Sequence, residues 1–314
     1  MSLEVIRAGI LDTIQDSGRH GYQHLGINPG GAMDQWAMKV ANAVVGNEAN
    51  EGIIEMSFPA ASFKFHQSVN ICVTGADFAA QVNGEPLQNG KLCCVPAGSQ
   101  LSFTKNLTGR FVYLSVAGGL QLAPWLGSLS TNLRVGAGGI GRLLKKGDVI
   151  QLRKDNIANS RLTISSWRVE VRRETRGTIR CMPGTEWSRL TSESQRALSF
   201  DSFSVSPLSD RMGYRLEGSA LVVKENMEML STAATFGTIQ LLPNGQLIAL
   251  MADHQTTGGY PRVLQVAAVD LPKLAQCNPR ELVRFEIISV QEAEELYIEQ
   301  RQLLRQVLTS CKAR

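Results

Sequence analysis

No stretch of the 314-residue chain approaches the roughly 20 consecutive apolar residues of a membrane-spanning helix. The N-terminus, MSLEVIRAGILDTIQDSG, carries acids and a glycine inside its apolar run, so it lacks the basic and then uninterrupted apolar regions of a signal peptide. No block of like charge occurs. The net charge of +4 is interleaved along the chain, which argues against a stripe that tracks a phosphate backbone. The six cysteines (Cys72, Cys93, Cys94, Cys181, Cys277, Cys311) include no C-x-x-C pair, as expected of buried thiols in a reducing compartment. No G-x-S-x-G elbow or Lys-Ser-Ser amidase pattern appears, so self-contained acyl-transfer chemistry is unsupported. These absences give the expectation of a cytoplasmic protein with neither nucleic acid nor membrane as partner. The Asn106-Leu107-Thr108 glycosylation sequon is then without consequence.

What is present is a 43% hydrophobic chain, enough for a packed core. It reads mostly as short strands between Gly, Pro and Asn punctuation. Strand-like runs are Val69–Val73, Leu101–Phe103, Arg110–Val116, Asp148–Leu152, Leu162–Val171, Ser219–Val223, Gly237–Leu241, Leu247–Met251, Val263–Val266 and Leu282–Ile288. Two stretches carry a helical period instead. Met33, Trp36, Ala37, Val40 and Val44 share one face, and Gly46-Asn47 supplies a stop. Ser289 and Glu292 have capping-box spacing ahead of an apolar series that runs to Val307. The segments VPAGSQLSF, LKKGDVIQL and CNPRELVRF each read as a turn feeding a strand, and their recurrence in both halves suggests two related barrel-like lobes. The polar segment RKDNIANS (153–160) is the expected seam. The domains are therefore expected at 1–155 and 161–289, followed by a C-terminal helix over 290–314.

Three motif matches fail on context. AMKV (37–40) resembles a biotin-attachment sequence, but Lys39 lies inside the amphipathic helix rather than at a hairpin tip. GAGGIG (136–141) fits G-x-G-x-x-G without a buried strand before it or a full helix after it. It better suits a loop whose amides approach an anion. His20 and His24 have the spacing of zinc ligands on a helix, which Gly21, Tyr22 and Gly26 argue against. No metal site is expected.

Three polar, glycine-punctuated stretches carry more function-capable groups than connectors need. QDSGRHGYQHLGINPGGAMD (15–34) gathers Asp16, Arg19, Tyr22, Gln23, His24 and Asp34. LSDRMGYRLEG (208–218) packs Asp210, Arg211, Tyr214 and Arg215 together. Either Arg211 or Arg215 suits bidentate recognition of a carboxylate; the alternative is an Arg–Asp pair bracing a turn. The third is Asp253-His254-Gln255-Thr256-Thr257-Gly258-Gly259-Tyr260, after a strand, Pro-Asn-Gly turn and strand. Here Asp253 is a candidate base. Gln255, Thr256 and Thr257 are candidate partners for a small amide or ureido group, and Gly258 and Gly259 allow close backbone approach. The alternative is a wide hairpin loop capped by Asp253.

Taken together, IQDSGRHGYQHLGINPGGAMD, GSLSTN, GGIGRLLKKGD, SDRMGYRLEG and MADHQTTGGYPR resemble the biotin-dependent carboxyltransferase-like family, in order from about Val5 to about Ser289. That family includes the C-type chain of 5-oxoprolinase, the second allophanate-hydrolase-type subunit and the carboxyltransferase region of urea carboxylase. The resemblance implies a mainly β fold, with two cyclophilin-like β-barrel subdomains, a few short helices and a C-terminal helix. It implies a subunit, inactive alone, of an ATP-dependent complex opening 5-oxoproline to glutamate. The implied partners are a sister subunit of related fold (the B-type chain of 5-oxoprolinase) and a lactam-utilisation-type chain (the A-type chain). The alternatives are a regulatory partner, as an antagonist of a kinase-inhibitor-like sister protein, or carboxyl transfer from carboxybiotin to urea. No cofactor is expected to be covalently bound, ATP is used by the complex, and biotin enters only if a partner presents it. On this reading Asp253, Gln255 and Thr257 are catalytic. Arg142, Asp210, Arg211, Tyr214, Arg215, Thr256, Gly258, Gly259, Tyr260 and Asp34 bind substrate.

Overall fold

The computed structural model describes residues 2–153, 161–170, 178–225 and 229–312. The fold is mainly β, as expected, and the chain forms two compact units. One comprises residues 1–19, 30–172 and 303–314; the other comprises 20–29 and 173–302. The expected seam at 153–160 falls almost wholly outside the described residues.

The first unit holds two six-stranded sheets around one apolar core. In one sheet, Ser2–Arg7 pairs antiparallel with Val149–Gln151 on one side and Ser62–Phe65 on the other. In the other sheet, Thr108–Val116 lies between Ile53–Ser57 and Val69–Asp77. Strand alternation turns Leu3, Val5, Phe63 and Phe65 of the first sheet and Ile71, Val73, Val112 and Leu114 of the second into this core, all 2% exposed or less. Helix α1 (Gln35–Val44) packs on Val69–Asp77 and Thr108–Val116, burying Ala37, Val40 and Val44 of the apolar face read from its sequence together with Met38, Ala41 and Asn42, while Trp36 of that face is only half-buried. Met33 and Asp34 precede the helix rather than begin it, because Asp34 is its N-cap.

The second unit is a closed barrel of seven strands. The order around it is Thr178–Pro183, Arg262–Val266, Thr238–Leu241, Leu247–Leu250, Gly213–Glu217, Phe203–Val205 and Leu282–Ile287. Closure comes from a parallel pairing of Thr178–Pro183 with Leu282–Ile287; the other six contacts are antiparallel. Alternation sends Tyr214, Leu216, Ile239, Leu247 and Ala249 to the interior, all with no exposure. The unit also holds α2 (Ser192–Phe200), α3 (Leu271–Ala275) and the first part of α4 (Val290–Lys312). The capping box at α4 forms in both directions. Ser289 N donates to Glu292 Oε2 at 2.7 Å, and Glu292 N donates to Ser289 Oγ at 3.1 Å.

Two strand expectations change. Ser219–Val223 is not a strand; its backbone instead bonds to a turn and a helix cap, with Leu221 N donating to Gly245 O and Val222 O accepting from Thr191 N. Of Leu162–Val171, only Thr163–Ile164 is a strand, and Val171 lies outside the described residues. Cys72, Cys93, Cys94 and Cys181 are buried, and all six thiols are free. Among the described residues no helix is long and apolar enough to cross a membrane.

Candidate functional site

The candidate residues separate into three kinds of place. In the first unit, Asp34 is 4% exposed and caps α1, accepting from Ala37 N at 2.8 Å. Its own N–H donates to Tyr113 Oη at 2.7 Å. Arg142 forms a fork with Asp148, donating at 2.7 and 2.8 Å, and this pair raises the guanidinium pKa and lowers that of the carboxyl. Both residues therefore have structural duties in the loops they begin or close. The same unit ties two motif stretches together. Asp16 accepts from Ser128 Oγ at 2.7 Å, Ser130 Oγ at 2.6 Å and Leu129 N at 2.6 Å. Buried Arg19 donates to Ser130 O and lies 4.7 Å from the centre of the Trp125 ring. The GAGGIG segment is a series of turns in which Gly136, Gly138, Gly139 and Gly141 all take positive φ, with no helix after it.

The remaining candidates lie in the barrel unit. There, the two motif stretches meet through Arg211 and Asp253. The guanidinium donates to both carboxylate oxygens, at 2.8 and 3.0 Å, from side chains only 5% and 15% exposed. Asp253 N also donates to Arg211 O at 2.8 Å. Of the two readings left open by the sequence, Arg211 takes the bracing one. Asp210 folds its own turn, accepting from Met212 N and Gly213 N. Tyr214 points into the barrel, where its hydroxyl donates to Ala275 O at 2.8 Å. The bonded oxygen of Asp210 and the Tyr214 side chain are thus engaged within the protein. His254 is 3% exposed and approaches Gln255 O through Nδ1 at 2.6 Å. Because a carbonyl only accepts, Nδ1 carries the proton. Burial holds the imidazole pKa below its ordinary value, against the opposing pull of that carbonyl and of Asp253.

Gln255, Arg215 and Tyr260 line a pocket of about 410 Å³ on the outer face of the barrel. The register explains its position. Arg215 and Gln240 both pair with Ile248, so the three form a row across neighbouring strands, opposite in direction to the interior Tyr214, Ala249 and Ile239. Met212, Leu242, Pro243 and Leu250 give the pocket an apolar wall. The 253–260 segment closes over the row. Its short strand Thr257–Gly258 pairs with Thr232–Ala233, while Thr256 O accepts from Ala234 N. Thr257 is exposed and Gly258 is buried. A Cβ on Gly258 would lie 2.6 Å from Gln240 Nε2, so the absence of a side chain there allows the segment to cover that amide.

Gln240 is the functional candidate that sequence reasoning missed. It is 1% exposed, and its Nε2 is buried without a hydrogen-bond partner. In the sequence it is one polar residue in the strand TIQL, a pattern that ordinarily marks the solvent side of a strand. The covering segment turns that position into an enclosed one. Arg215, by contrast, is exposed and its guanidinium has no ion-pair partner among the described residues. The pocket therefore presents this cation, several amide groups and a phenol on an apolar base. Such a set has the donors and charge to bind and orient an organic anion; no carboxylate, imidazole, thiol or aliphatic hydroxyl of the described residues lines it. Among the described residues, no group of three or more His, Cys, Asp or Glu side chains is placed to hold a metal ion.

Comparison with known proteins gives a consistent result. Residues 25–287 match the carboxyltransferase domain, subdomain A and B. The chain is 39% identical over 285 residues to the C-type chain of 5-oxoprolinase from Haemophilus influenzae, covering 90% of both chains. It is 35% identical over 309 residues to the corresponding 5-oxoprolinase chain of Escherichia coli, covering 97% of both. Among solved structures it resembles the urea amidolyase of K. lactis with a TM-score of 0.89 and 25% identity, over 98% of this chain and 20% of that one.

Proposed function

The chain belongs to the carboxyltransferase domain, subdomain A and B family, and from that premise we propose that it is a subunit of an ATP-dependent complex opening 5-oxoproline to glutamate. The observation that carries this reading is the likeness to the C-type chain of 5-oxoprolinase over nearly the whole length of both partners in two comparisons. A likeness of that extent includes every motif stretch and both units, rather than one shared segment.

The chemistry of the outer pocket supports a binding role. A lactam is an unreactive amide, and its opening requires activation of the carbonyl together with proton transfer. The described residues lining this pocket supply hydrogen-bond donors and a cation, and none of them is a general base. A chain with these groups holds the substrate while companion subunits contribute ATP and the remaining chemistry, so it is inactive alone. The companions are a sister subunit of related fold and a lactam-utilisation-type subunit. Biotin has a part only where another polypeptide presents it.

Reconstitution tests the reading. ATP-dependent glutamate formation from 5-oxoproline is measured with the two companion subunits, with this chain added or omitted. The expected result is turnover only when the chain is present. Full turnover without it overturns the proposal. The similarity to urea amidolyase favours a second reading, carboxyl transfer to urea. Urea with a biotinylated partner forms the parallel arm, and turnover confined to that arm would replace the first reading by the second.

A further inference from the structure

We infer that the outer-face pocket of the barrel is a subsite for a small carboxylate-bearing amide, in which Gln240 Nε2 donates to the amide oxygen and Arg215 holds the carboxylate. The assignment deepens the proposed function and rests on it for the identity of the ligand; the site itself rests on two independent observations. One is an amide nitrogen enclosed at a residue 1% exposed and lacking a partner. The other is an exposed guanidinium in the same cross-strand row, also without an ion-pair partner among the described residues.

An enclosed donor with no acceptor costs the folded state free energy, because it has left water without a replacement bond. A ligand carbonyl placed in the pocket supplies the missing acceptor. Gln240 and Arg215 are each register partners of Ile248, so they flank one apolar residue on the barrel's outside. This arrangement suits a compact ligand with an amide oxygen on one side, a carboxylate on the other and hydrocarbon between. Guanidinium matches carboxylate in a planar, two-bond geometry. The described lining includes no acid to repel an anion. Gly258 is the third part of the device: it leaves room for the Gln240 amide where a methyl group would press on it at 2.6 Å.

The test is calorimetric titration of the full chain with three compounds: 5-oxoproline, 2-pyrrolidone, which lacks the carboxylate, and cyclopentanecarboxylate, which lacks the amide. The expected order has 5-oxoproline tighter than either fragment by about tenfold or more. Arg215→Gln removes its advantage over 2-pyrrolidone, and Gln240→Met removes its advantage over cyclopentanecarboxylate. Gln240→Met also melts no lower than the parent, since it deletes an unsatisfied donor at similar volume. If that variant does not fold, Arg215→Gln, a change at an exposed position, decides alone.

Equal binding of a fragment and 5-oxoproline overturns the assignment, as do parental affinities in both variants or no binding at millimolar ligand. Failure here is separable from failure of the functional reading. Turnover that requires the chain yet ignores both substitutions removes the subsite and leaves the role in the complex. Turnover that does not require the chain removes the role, while titration still decides the subsite.

Discussion

Arg211 and Asp253 form a two-bond ion pair, at 2.8 and 3.0 Å, that joins the turn before one barrel strand to the segment after another. Both side chains are largely removed from water. Breaking one partner therefore leaves a charge that has neither water nor counter-ion. Asp253→Ala and Arg211→Leu should each destabilise the protein by about 3 kcal/mol or more. Joint replacement by apolar residues should cost less than the sum of the two. Denaturant unfolding of the two single variants and the double variant measures this directly. Loss of activity in Asp253→Ala is then informative only alongside its unfolding curve. A variant that folds like the parent but loses turnover would give Asp253 a direct role beyond bracing.

Asp34 permits a cleaner separation of position from chemistry. Its carboxylate accepts from Ala37 N and thereby caps α1. Asparagine caps nearly as well as aspartate, whereas alanine does not cap. Asp34→Asn should retain stability within a few tenths of a kcal/mol, and Asp34→Ala should lose about 1–2 kcal/mol. If the residue acts only through the helix, turnover follows the same order. Lost activity in a stable Asp34→Asn protein would instead require the charge itself.

Much of the fold could be read from local pattern. The period that placed Trp36, Ala37 and Val40 on one face did produce a helix, and Ser289 and Glu292 did form their reciprocal cap. Strands such as Thr108–Val116 and Thr238–Leu241 announced themselves by apolar content. Recurring turn–strand segments pointed to barrel-like lobes, but not to the pair that closes the seven-stranded barrel, because the parallel pairing of Thr178–Pro183 with Leu282–Ile287 joins segments far apart in the chain and leaves no local trace. Helix α2 was also missed: SESQRALSF buries only Ser194 and Leu198, too few apolar positions to display a period. The sequence singled out the segment 253–260 and Arg215, and of these Gln255, Tyr260 and Arg215 line the pocket. The sequence could not divide labour between Arg211 and Arg215, since both precede or lie in the same strand. The register settled that, sending Arg215 outward to the pocket and leaving Arg211 to Asp253.

Gly184 offers a test of the barrel's packing that does not depend on function. A Cβ at this position would run into the carbonyl of Arg262, and its own N–H donates to Val263 O at 2.9 Å. The obstructing atom is backbone, fixed further by Glu186 accepting from Arg262 N at 2.8 Å. No rotamer change can relieve the contact. Gly184→Ala should destabilise by about 1–3 kcal/mol, the cost typical of an overpacked interior. A thermal melt within about a degree of the parent would show that the strand pair yields more readily than its bonding suggests.

Asp12 should make stability fall as pH rises across the acid-to-neutral range. The residue is 1% exposed, and burial raises its carboxyl pKa from 3.8 to about 7, despite bonds to backbone near Gly9 and Ala61 that lower it. Gly9 N donates to Oδ2 at 2.7 Å, but Oδ1 is buried with no partner. A folded-state pKa above the unfolded value means that the native protein binds the proton more tightly. Its stabilising contribution is complete below about pH 4 and is lost progressively as pH rises through about 7. A difference of about 3 units corresponds to an upper bound on the order of 4 kcal/mol. Asp12→Asn removes the ionisation while keeping an acceptor for Gly9. The variant should therefore gain stability relative to the parent as pH increases from about 4 to about 7, with the gap constant above that. Urea unfolding at several pH values checks both the sign and the plateau. A gap independent of pH would show that this carboxyl ionises in the folded protein as readily as it does in the unfolded chain.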